Sequence, residues 1–87
     1  MTFHITYSLI PGDRNEAQKR FKATGAPPPP GVTMVGRWHC AQGLKGFPIA
    51  ETADAEAIAK WTQNWTDLLS FEVTPVVTDE QLARVIG

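Results

Sequence analysis

Residues 2–9 alternate strictly, with Phe3, Ile5, Tyr7 and Leu9 on one side and His4, Thr6 and Ser8 on the other. That period of two predicts a half-buried strand. Pro11-Gly12 breaks it, and Asp13 followed by Glu16 has the spacing of a capping box. A first helix is therefore expected over residues 14–24, with Ala17, Phe21 and Thr24 at helical spacing and Gly25 as its exit. Pro27 to Pro30 cannot be helical and predict a short, stiff connector. A β-hairpin follows, with arms over 32–40 and 47–52 and a loop whose Gly43 and Gly46 permit positive φ. Alternation places Met34, Gly36, Trp38 and Cys40 on one face of the first arm and Val35, Arg37 and His39 on the other. Pro48 lacks an N–H and is expected at the start of the second arm or at a bulge.

Thr52 or Asp54 can cap a second helix, along which Ile58, Trp61, Trp65, Leu68 and Leu69 form one stripe. Helical spacing makes the two tryptophans core anchors rather than stacking platforms for a cofactor or sugar. Residues 70–77 read as a fourth strand, with Phe71 and Val73 on one side and Glu72, Thr74 and Val76 on the other. Thr78 and Gln81 form another capping box, opening a short helix that carries Leu82, Val85 and Ile86. The order is βαββαβ plus a terminal helix, an α+β chain that the ferredoxin-like arrangement accommodates. Its antiparallel sheet would be ordered 4-1-3-2, with both long helices on one face. Phe3, Ile5, Tyr7, Trp38, Phe71 and Val73 would then lie beneath Phe21, Ile58, Trp61 and Trp65, leaving the other face open.

Composition narrows the setting. At 87 residues the chain is one domain with a thin core. Hydrophobic content of 43% and charged content of 20% fit a globular protein. No apolar run approaches the roughly 20 residues that cross a bilayer, so no membrane contact is expected. The N-terminus lacks a basic segment followed by an apolar core, which predicts a cytoplasmic protein without a secretory signal. A single cysteine allows no internal disulfide, and no Cys/His spacing resembles a zinc site. The net charge is -1 and the one basic group is Lys19, Arg20 and Lys22 on a helix, so nucleic acid is not an expected partner.

Several short stretches stand together: G-R-W-H, a glycine-rich turn, G-F-P-I-A-E-T, an earlier P-P-P-P-G and a later F-E-V-T-P-V. With them the chain resembles the short bacterial domain-of-unknown-function family 3303, over nearly its whole length. The resemblance implies a ferredoxin-like subunit that dimerises, similar to dimeric α/β-barrel proteins. It implies no activity.

The chemistry in the chain concentrates on the face expected to be open, where alternation puts His4, Thr6, Ser8, Arg37, His39, Glu72 and Thr74. Arg37, His39, His4, Glu72, Thr6 and Thr74 are the candidate ligand-binding set. In the expected strand order His4 and Glu72 lie on neighbouring strands, as a register-fixing ion pair or an acid–base couple. Arg37 could clamp a carboxylate or phosphate oxygen. His39 and Cys40 point to opposite faces and cannot chelate together, so no metal is expected, and Cys40 reads as a small buried hydrophobe. Glu51 is expected to favour the start of the following helix. No phosphate loop, serine nucleophile motif or flavin fingerprint is present, and no cofactor is expected. Three functional classes remain: a homodimeric small-molecule-binding or sensor module with its pocket on the open sheet face; a cofactor-independent enzyme, monooxygenase- or isomerase-like, with His39 as base and Arg37 orienting an anion; or a structural adaptor without a ligand.

Overall fold

A computed structural model describes residues 1–87. The elements run β1 (Thr2–Ser8), a 3-10 turn (Pro11–Asp13), α1 (Arg14–Thr24), β2 (Thr33–His39), β3 (Lys45–Glu51), α2 (Ala55–Gln63), β4 (Ser70–Val76) and α3 (Asp79–Ile86). The four strands form one antiparallel sheet in the order β2-β3-β1-β4, the ferredoxin-like arrangement expected from the sequence.

Each helix is bounded by local chemistry. Asp54 caps α2 by accepting from the Glu56 amide at 2.9 Å, and Thr78 with Gln81 forms the reciprocal capping box of α3. The box expected at Asp13 does not form. Asp13 ends the 3-10 turn in a helical conformation (φ -96, ψ -7) and makes no side-chain cap, because an N-cap side chain reaches its amides from an extended backbone. α1 leaves through Gly25, which is left-handed at φ 73, and the next residue, Ala26, also has positive φ. α2 stops at Gln63. Trp65 lies in the following turn, held by its amide to Thr62 O at 2.9 Å and by the Leu69 amide to its own carbonyl at 2.8 Å.

The core sits between the sheet and α2. Phe3, Ile5, Val32, Ala50, Ile58 and Trp61 form one buried cluster, with Met34 and Phe71 packed against it. Trp65 is buried as well. Tyr7 and Phe71 face the same side but are only half-buried, while Val73 and Phe21, expected in the core, are exposed at 39% and 36%.

The first hairpin arm corrects the expected facing. Met34 opposes Ala50, and Gly36 opposes Ile49, so Val35 is an extra residue that bulges out of the β2–β3 ladder. One extra residue reverses the parity of everything beyond it. Met34 therefore faces the core as expected, but Trp38 emerges on the open face at 52% exposure, and Arg37 and His39 turn beneath the helices. Pro48 is also displaced from its expected place: it sits mid-strand in β3, buried and opposite Arg37, and the β1–β3 ladder is interrupted between Ile49 and Gly46. Cys40, expected in the core, is exposed just beyond β2.

Candidate functional site

The helix-covered side of the sheet holds a half-open cavity of about 440 Å³. Its walls come from α1 (Ala17, Gln18, Phe21), α2 and the turn after it (Trp61, Thr62, Trp65), and the inward residues of all four strands. Most of that lining is apolar or aromatic. Small-molecule pockets usually fall between about 300 and 1,000 Å³ with a few placed polar groups. Here the polar groups are Gln18 and Thr62 on the helices and, gathered at one end, Tyr7, Arg37 and His39.

Sheet register brings them together. Tyr7 opposes Gly46 on β3, and Gly46 in turn opposes His39 on β2, so the two rings flank a residue with no side chain. The Tyr7 hydroxyl lies 2.7 Å from His39 Nδ1. Phe21 meets the imidazole edge-on, with ring centroids 5.3 Å apart. Arg37, one pleat further along β2, stands over the Phe21 ring at 4.8 Å and donates to the carbonyls of Ala26 at 2.8 Å and Gly25 at 2.9 Å. Those carbonyls belong to the two positive-φ residues that end α1, so a strained exit from the helix supplies the acceptors that hold the guanidinium. On the outer side of α1, Arg20 ties the helix to the turn after α2 through Asp67 at 2.6 and 2.9 Å.

Partial desolvation shifts the protonation equilibria. Desolvation, with a further push from Arg37, lowers the His39 pKa below its ordinary value of 6.5. Desolvation also raises Tyr7, Cys40 adds to this, and Arg37 partly opposes it. Arg37 itself is lowered by desolvation, against a smaller opposite effect of Tyr7, and an arginine remains charged regardless. At neutral pH the site thus holds a phenol, a neutral imidazole and a cation. The phenol–imidazole pair works in both directions: with Tyr7 donating to Nδ1, the imidazole proton is on Nε2; with Nδ1–H donating to Tyr7, Nε2 carries a free lone pair.

His39 stays solvent-accessible, yet its partial desolvation links protonation to stability. His39 is expected to titrate below 6.5 in the folded protein. Its contribution to stability is complete above 6.5 and is lost as pH falls through the folded value, because the unfolded chain binds the proton first. Imidazole shifts followed by NMR against pH check this; a midpoint at or above 6.5 would contradict the desolvated environment.

The candidate residues divide between two faces. Arg37 and His39 enter the cavity, whereas His4, Thr6, Glu72 and Thr74 lie on the open side of β1 and β4. His4 opposes Thr74 and Glu72 opposes Thr6, and the ion pairs of the chain are Arg20–Asp67 and Arg84–Glu80, so the His4–Glu72 couple is not formed. His4 instead begins an aromatic row across the open face, 5.0 Å from Phe47, which is 5.5 Å from Trp38. Glu51 lies exposed at the end of β3, near the Thr2 hydroxyl at 3.4 Å, while the cap of α2 is Asp54. Tyr7 and Phe21, assigned to packing by their periodicity, are the site residues that pattern alone overlooked. Gly46 between two ring-bearing strands is the one signal that could have pointed to them.

A family model described as Domain of unknown function (DUF3303) matches residues 1–87, the whole chain. No curated protein matches it.

Proposed function

The chain belongs to the DUF3303 family, and we propose that it is a homodimeric module that binds a small molecule between its sheet and its helices. The observation that carries the binding half is the cavity itself, apolar over most of its wall and furnished at one end with Tyr7, His39 and Arg37. This relocates the pocket from the open face to the covered one.

Surface area supports the dimer. A 9.6 kDa chain exposes 5954 Å², whereas a compact monomer of that mass exposes about 5,100 Å². The excess, roughly 850 Å², is close to what one partner contributes to a standard interface. The open face supplies suitable chemistry: Trp38 and Val35 are exposed there, beside Phe47 and Ile49, with a polar half formed by Thr6, Glu72 and Thr74. A second sheet at the usual spacing of about 10 Å would cover it.

A second reading is proton-transfer chemistry without a cofactor, with His39 as base. It is favoured by the 2.7 Å contact to Tyr7, which can orient the ring and leave Nε2 as the acceptor.

Native mass spectrometry and an NMR titration with 2-naphthalenemethanol, a neutral probe, test the proposal. A dimer mass is expected, reduced to monomer by Trp38→Glu. The indole N–H signals of Trp61 and Trp65 should move saturably with probe, while that of Trp38, on the opposite face, stays in place. A wild-type monomer overturns the assembly. Unmoved Trp61 and Trp65 signals overturn the pocket and leave the adaptor reading.

A further inference from the structure

We infer that the cavity selects an aromatic carboxylic acid in its anionic form, its ring among the tryptophans and its carboxylate at Arg37 beside the Tyr7–His39 pair. The inference rests on the reading of the cavity as a ligand site and adds the class of ligand.

Charge gives the first step. No aspartate or glutamate lines the cavity, and Arg37 is its one permanent cation. The two ion pairs of the chain lie elsewhere. The partners of Arg37 are the neutral carbonyls of Gly25 and Ala26, at the C-terminal end of α1. A helix end offers only about half an elementary charge, so the guanidinium remains uncompensated. The half-buried guanidinium has lost part of its water without gaining an anion, so an incoming anion restores favourable electrostatics. Five N–H donors minus the two engaged leave three for that anion.

The walls give the second step. A small hydrated anion such as phosphate would exchange its water for mostly apolar surface, an unfavourable trade. An acid with an apolar body keeps the favourable contacts of both kinds. Tyr7, Phe21, Trp61, Trp65 and Phe71 present five aromatic side chains to the space, and aromatic rings pair best with rings, offset or edge-on. A volume of about 440 Å³ equals that of roughly 15 liquid waters, room for a two-ring acid. The Tyr7–His39 pair leaves one neutral donor free beside the cation, Nε2–H when Tyr7 donates to Nδ1 or the Tyr7 O–H when Nδ1–H donates to it, and that donor complements Arg37 at a carboxylate with two oxygens.

The test compares 2-naphthoate with 2-naphthalenemethanol and decanoate at pH 8, read on the Trp61 and Trp65 indole signals of the whole chain. Naphthoate is expected to bind about tenfold or more tightly than the alcohol, and Arg37→Met to erase that difference. Decanoate should bind more weakly than naphthoate. Should Arg37→Met not fold, for loss of its hold on Gly25 and Ala26, Tyr7→Phe gives the same comparison without touching the guanidinium. Its acid affinity should fall while alcohol affinity is retained. Equal affinity for acid and alcohol in the wild type overturns the anionic preference while leaving a binding pocket in place. An acid preference that survives both Arg37→Met and Tyr7→Phe overturns the placement of the carboxylate. Tighter binding of decanoate overturns the aromatic class. Failure of all three probes removes the ligand-site reading with it.

Discussion

Replacing Trp61 with alanine is expected to cost about 3–5 kcal/mol, the loss of its transfer free energy plus the cavity left behind. The indole belongs to the six-residue buried cluster and also walls the cavity, so its removal merges a void with a space already present. Little else can compensate, because only 11 of the 87 residues are buried. For a domain whose whole stability is about 5–15 kcal/mol, that loss leaves it close to unfolding. A chain of this size loses about 4–8 °C in Tm for each kcal/mol, so the melting point should drop by more than 10 °C or the transition should disappear. Trp65→Ala should follow the same direction, since that ring is also buried and carries the Arg20 guanidinium at 5.2 Å. Thermal and urea melts at one fixed protein concentration measure both, the concentration being held because a dimer's stability depends on it. Near-wild-type melting of either variant would mean that its indole is not a core anchor.

Gly46→Ala should be the most damaging single-methyl change in the sheet. Gly46 is buried in β3 with its bare side toward the helices. A Cβ there would run into the Tyr7 ring and stand 2.6 Å from the Trp38 carbonyl oxygen. The ring can swing aside but the backbone oxygen cannot, so the strands must part. Overpacking of this kind costs about 1–3 kcal/mol. The functional consequence is larger than the energetic one: displacement of Tyr7 breaks its hydrogen bond to His39 and uncovers the imidazole. His39 should then titrate nearer its ordinary value of 6.5, relieving its partial desolvation. Gly12→Ala is the matched control, since nothing lies within 4 Å of a Cβ at that position. Equal melting of the two variants, with His39 unchanged, would refute the close approach of Tyr7 to β3.

Much of the architecture is local and therefore legible. β1 alternates without interruption, and its inward Phe3 and Ile5 are buried as that pattern requires. α1 spans Arg14–Thr24 because Pro11-Gly12 precedes it and Gly25 can take the left-handed conformation that ends it. The capping box at Thr78 opens α3 with both of its hydrogen bonds in place. Element order and short connections then restrict the sheet to one plausible ferredoxin-like pairing.

Position within the sheet is another matter. Asp13 has the right neighbour for a capping box, but the preceding 3-10 turn fixes its backbone in the wrong region. Pro48 sits in a central strand because its neighbours on both sides supply enough pairing around the gap. The bulge at Val35 has the widest effect. Gly36 is the one hint in T-M-V-G-R-W-H, since an interior strand glycine often marks a bulge, but which residue is unmatched exists only relative to the strand it opposes.

The sequence by itself determined the elements, their order and the residues that could do chemistry, because turn, cap and periodicity signals act over a few neighbouring residues. Tertiary structure decided which face those residues meet. A single residue unmatched between β2 and β3 turned Trp38 outward and brought Arg37 and His39 to Tyr7 beneath the helices, since in a strand of period two one extra residue exchanges inside for outside.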